Sequence, residues 1–174
     1  MSNMFGKGRA DRQAGDAQAL ELRAQAVALD RSQAIVEFDL DGAILKANEN
    51  FLRATGYDAD ELVGRGHALI APEDHAVIWA SLTRGEFVAD KFRLAGKDGR
   101  EVWMRASYNP LIGAEARPFK ILMVATDVTA VEHERRLARE ERQAHAEMQA
   151  EAVSVLGAAL QRLAAPATFD TESF

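Results

Sequence analysis

Not one of the 174 residues is a cysteine. That absence excludes disulfides, thiolate metal sites, a cysteine nucleophile and any cysteinyl photo-adduct. Proline is scarce, at four residues, so little interrupts a helix over most of the chain. No apolar run approaches the roughly 20 residues that a membrane span needs. The first residues lack the basic segment and apolar core of a secretory signal, so a cytoplasmic address is expected. An excess of positive charge is missing too. Lys and Arg number 21 against 27 Asp and Glu, a net charge of −6. No basic patch is left to displace phosphate counterions, and nucleic acid is not an expected partner. The four histidines show no metal-ligand spacing, and no Ser/His/Asp arrangement stands out. Neither a metal site nor an enzyme is expected.

What the chain does have is periodicity. Val102, Met104, Ala106 and Tyr108 alternate with Glu101, Arg105 and Ser107, the two-residue period of a strand with one buried face. Val88, Asp90, Phe92 and Leu94 alternate in the same way before it. Asp98-Gly99 between the two runs predicts a tight hairpin. The run Phe119 to Ala125 is apolar on both faces, which predicts a mid-sheet strand with cover on each side. Asp127-Val128-Thr129 closes it, and Thr129 with Glu132 predicts a capping box for a following helix. Upstream, short strands are expected over Ala34–Asp39 and up to Ala47, with Asn48 as the N-cap of a helix that Gly56 ends. Pro72 is expected to open a helix running to about Arg84. From Ala10 to Arg31, Ala17, Leu20, Ala24 and Val27 draw a narrow apolar stripe on a helix. Two strands, short helices and three strands make an α+β pattern.

Several stretches carry a resemblance: Glu37 to Gly42, Ala47 to Leu52, Gly56-Tyr57, Glu61 to Arg65, Gly85 to Phe87, Lys97 to Trp103, Ala106 to Pro110 and Ala125 to Thr129. In order and spacing these resemble a PAS domain, and in particular the PAS domains of bacterial chemoreceptor-type sensors. The resemblance implies a PAS fold, a five-stranded antiparallel sheet in the order 2-1-5-4-3 with short helices on one face. It implies residues 1–31 as an N-terminal amphipathic helix, 32–130 as the PAS domain, 131–165 as a signalling or dimerisation helix and 166–174 as a tail. No kinase, cyclase or DNA-binding segment follows, so a stand-alone dimeric adaptor is expected. It would regulate histidine-kinase or chemotaxis-type signalling by protein contact.

For that role the signal junction is expected at Asp127 and Thr129. Contacts to a second copy or another partner are expected at Leu20, Val27, Trp103, Leu122, Val153, Leu156, Leu160 and Leu163. By alternation Trp103 lies on the sheet face away from the helices, where the N-terminal helix or a partner would cover it. The alternative is a haem- or small-ligand-binding sensor. Haem-binding relatives carry a histidine near the positions of His67 and His75, and a neutral imidazole is a good iron ligand. The pocket would be lined by Phe51, Leu52, Ile78, Phe92, Met104 and Met123, each of which serves equally well as core packing. No cofactor is the expected state. His133-Glu134-Arg135-Arg136 resembles the start of a phosphoacceptor helix without its proline, and a solvated helix explains it as well.

Overall fold

The computed structural model describes residues 4–164, with the side chains of residue 13 and of 15–162. In chain order it runs α1 (Met4–Ser32), β1 (Ala34–Phe38), β2 (Ile44–Ala47), α2 (Glu49–Thr55), α3 (Ala59–Leu62) and a 3-10 turn at His67–Leu69. There follow α4 (His75–Leu82), β3 (Val88–Ala95), β4 (Glu101–Ile112), β5 (Pro118–Asp127) and α5 (Thr129–Ala164). The expected tail at 166–174 lies outside the described residues. Helix α1 begins earlier than expected, because Gly6 and Gly8 weaken a helix without removing any of its hydrogen bonds.

The five strands form one antiparallel sheet in the order β2-β1-β5-β4-β3. The doubly apolar β5 is central, as its composition predicts. Met123 stands between Val36 of β1 and Tyr108 of β4. Every second residue of β4, from Val102 to Tyr108, is buried. The short helices close over that inner face, and Val36, Phe38, Phe51, Leu62, Ile78, Met104 and Met123 fill the core. Each such side chain contributes on the order of 1.5–3 kcal/mol by leaving water.

Three local expectations are corrected. The β3–β4 connection is not a two-residue turn: the ladder ends at Ala95 opposite Glu101, and Gly96 N–H donates to the Arg100 carbonyl across the loop. Asp98 and Gly99 do both take positive φ, 61° and 76°. Helix α4 starts at His75 rather than Pro72, because residues 72–74 form a turn closed by the His75 N–H on the Ala71 carbonyl. The Thr129 hydroxyl accepts from the Trp103 backbone N–H at 2.9 Å, while the Asp127 carboxylate receives the Thr129 N–H. Thr129 thus joins the helix start to the sheet.

A clasp holds the hairpin tip against α2. Arg100 lies across Gly56 and Gly96, and its Nε donates to the Thr55 carbonyl. Gly56 is left-handed at φ 79° and ends α2.

The described residues up to Thr129 form one unit and those from Ala130 onward a second. Within the second, α5 is rich in Glu and Arg at first, with pairs such as Arg135–Glu132 and Arg136–Glu140. Its later part exposes Met148, Val153, Val155, Leu156 and Leu160.

Candidate functional site

Three features of the first unit bear on function: a histidine cluster inside, an apolar groove outside, and the turn at the end of β5. The fold brings together His67 and His75, eight residues apart, because the late start of α4 lays His75 on the 3-10 turn. Their Nδ1 atoms stand 3.2 Å apart, and His67 Nε2 is 2.9 Å from the Tyr108 hydroxyl. His67 is completely buried, in ring contact with Phe38, Trp79 and Tyr108. The Trp79 indole N–H donates to the Leu40 carbonyl.

A single proton holds the two Nδ1 atoms together, since two N–H groups facing at this distance would repel. Burial, then the neighbouring His75, lowers the His67 pKa from 6.5 to about 3, so the ring is neutral in the folded protein near pH 7. Burial, then Asp74, pushes the Tyr108 phenol up. The cluster ties the helical cover to β4 with every buried side-chain polar atom among the described residues satisfied.

This geometry bears on the haem alternative. Both nitrogens of His67 are already engaged, and packed rings surround it. Phe51, Ile78, Phe92, Met104 and Met123 are core residues, with Leu52 half-buried against them. As packed, His67 offers an iron neither a vacant nitrogen nor an open face, while His75 is half-buried and engaged through its Nδ1.

The outer face differs. Ile35, Leu122 and Val124 are half-buried there, and Phe119 is exposed. With Ala26, Val27 and Leu29 from the last turns of α1, they line a groove of about 590 Å³. Lys120 and Glu37 pair across its floor at 2.7 Å. The expectation of cover on both sides of β5 is therefore met in full only on the inner side. Trp103 lies on the outer face as alternation predicts, half-buried, with the Lys91 ammonium 5.0 Å from its ring centroid. Leu20 is 69% exposed and Val27 50%, so the α1 stripe presents apolar surface to solvent. On α5, Val153, Leu156 and Leu160 are exposed, while the side chain of Leu163 lies outside the described residues. His133 is exposed, with Nδ1 3.0 Å from an Arg136 nitrogen.

At the third feature, Val128 N–H donates to the Trp103 carbonyl while Thr129 Oγ1 receives the Trp103 N–H. The strand end and the helix start are thus stitched to one residue of β4. Sequence reasoning named Asp127 and Thr129 at this turn and did not single out Tyr108, Trp79 or Gln33. The polar side chains of Gln33 and Thr126 meet across 93 residues, a pairing that no local pattern announces.

An antiparallel sheet of this strand order, with helices over one face and a terminal helix after the central strand, defines the PAS class of sensor domain. Residues 44–125 match the family described as PAS fold, and the chain contains a PAS domain. Over 115 residues it is 39% identical to the biofilm dispersion protein BdlA of Pseudomonas aeruginosa, covering 63% of this chain and 28% of that protein. Over 79 residues it is 31% identical to the aerotaxis receptor of Escherichia coli, covering 42% of this chain and 16% of the receptor. The chain spans less than a third of either relative. Among solved structures, the PAS domain of a Colwellia psychrerythraea protein superposes with a TM-score of 0.55 at 25% identity, covering 63% of this chain and 98% of that one. An RNA-binding light-oxygen-voltage receptor gives 0.58 at 26% identity, covering 71% of this chain and 37% of the receptor. No helix among the described residues is long and apolar enough to cross a membrane.

Proposed function

We propose that the chain is a signal-transduction PAS module that works by protein contact rather than by turnover. In this reading it is a homodimer whose flanking helices pass a change in the core to a sensor histidine kinase or a chemoreceptor-type partner. The observation that carries the reading is the groove on the outer face of the sheet. A central strand with Leu122 and Val124 only half-buried, beside a helix with Leu20 and Val27 exposed, is apolar surface in search of a cover. The junction of Asp127 and Thr129 supplies the outlet, since movement of β5 is delivered to the first turn of α5. The kinship with an aerotaxis receptor supports the same class of partner.

Light scattering on the intact chain tests the first step. A dimer is expected, and Val27→Asp together with Leu122→Asp is expected to give a folded monomer that no longer captures a chemoreceptor-type signalling fragment. A wild-type protein that is monomeric at every concentration and captures no such fragment sinks the reading. An intense visible band from freshly purified protein would instead move it to a bound-ligand sensor.

A further inference from the structure

The C-terminal end of α1 is held by the core in an unusual way. A helix end leaves its last carbonyls without partners. Here the partners are side-chain amides from the start of the next helix. Asn48 Nδ2 donates to the carbonyls of Asp30 and Gln33 at 3.0 and 2.8 Å, and Asn50 Nδ2 donates to the same two at 2.8 and 2.9 Å. The Asn48 Oδ1 meanwhile accepts from Ile35 N–H and from Phe51 N–H, which caps α2. Asn48 is buried, so its bonds are not readily exchanged for water, whereas the Asn50 bond to Asp30 is exposed. The joint continues into the sheet: Thr126 Oγ1 donates to the Gln33 Oε1 at 2.8 Å. Thr126 is the residue before Asp127, whose carboxylate receives the Thr129 N–H at the root of α5.

We propose that this joint makes α1 an input arm, with displacement of the helix delivered through Gln33 and Thr126 to the Asp127–Thr129 turn. The inference rests on the reading of that turn as the outlet and adds the route by which it is driven. The route bypasses the inner core. It runs from Asn50 and Asn48 through the end of α1 to Thr126, along the solvent side of β5. Asn48, Asn50 and Thr126 act as positioning residues; none of them needs to touch a ligand. A partner that grips the exposed Leu20 and Val27 would load the arm at its free stretch, while its last turn stays fixed to the strand.

Amide hydrogen exchange on the intact chain, which needs no partner, tests the route with a double-mutant cycle. Asn50→Ala is expected to speed exchange at Gln33 and also, by roughly tenfold, at Val128 and Thr129, with Tyr108 and Met123 unchanged. In a Thr126→Val background the same Asn50→Ala change should no longer reach Val128 and Thr129, and Thr126→Ser should restore its reach. An Asn50→Ala effect confined to the end of α1 overturns the proposal. So does an effect on Val128 and Thr129 that persists undiminished with Thr126→Val, or a uniform acceleration that includes Tyr108 and Met123. Because exchange reads the joint alone, any of these leaves the contact reading of the outer groove to stand or fall by its own light-scattering test.

Discussion

The two faces of β5 are built from similar residues and meet different fates. Toward the helices, Ile121, Met123 and Ala125 are no more than 2% exposed. Toward the outside, Leu122 and Val124 are only half-buried and line a groove. The inner face has matched volumes and a satisfied polar cluster, as a single well-ordered core requires. The outer face is apolar without being filled. Apolar composition on both sides thus marks a central strand, but only one side of it belongs to the domain's own stability. The other is available for contact.

The contrast is open to attack at three points. The largest effect is expected inside: Met123→Ala should cost roughly 2–5 kcal/mol in denaturant unfolding, because it leaves a cavity in a packed core. A loss as small as that of an outer-face substitution would erase the distinction between the faces. Next is acid. The folded His67 has a pKa of about 3 and the unfolded one 6.5, so the unfolded chain takes up the proton first as pH falls. The stabilisation is complete above pH 6.5 and is lost on acidification toward pH 3, with a slope of up to about 1.4 kcal/mol per pH unit. Unfolding curves across that window should show the slope, and His67→Gln should remove it. The smallest effect is expected outside: Leu122→Ser should change the unfolding free energy by less than about 1 kcal/mol. A larger loss in the monomer would make the groove part of the core.

The strands were legible because their side chains alternate, and β5 announced its central place by being apolar on both faces. Asn48 and Gly56 were legible as caps because short polar side chains and left-handed glycines do local work. The His67–Tyr108 contact was not, since 41 residues separate the partners and each is unremarkable in its own window. The contact of His75 with His67 was not legible either, since it depends on α4 starting at His75 rather than at Pro72. Asn48 was half-read: the cap on α2 follows from sequence, whereas its grip on Asp30 and Gln33 depends on how α1 returns to the sheet. The Thr129 hydroxyl fits a capping box by spacing, yet the backbone of Trp103 was the nearer donor in space.

The arginine clasp at the hairpin tip has an evolutionary corollary. A β-carbon at Gly56 would collide with the Arg100 guanidinium, and one at Gly96 would fall 2.6 Å from the Arg100 side chain and 2.8 Å from the Thr55 carbonyl. Neither glycine can acquire a side chain while the arginine keeps its berth. Lineages that retain Arg100 should hold both glycines, and discarding the arginine frees neither outright, because Gly96 still faces the Thr55 carbonyl and Gly56 keeps its left-handed backbone.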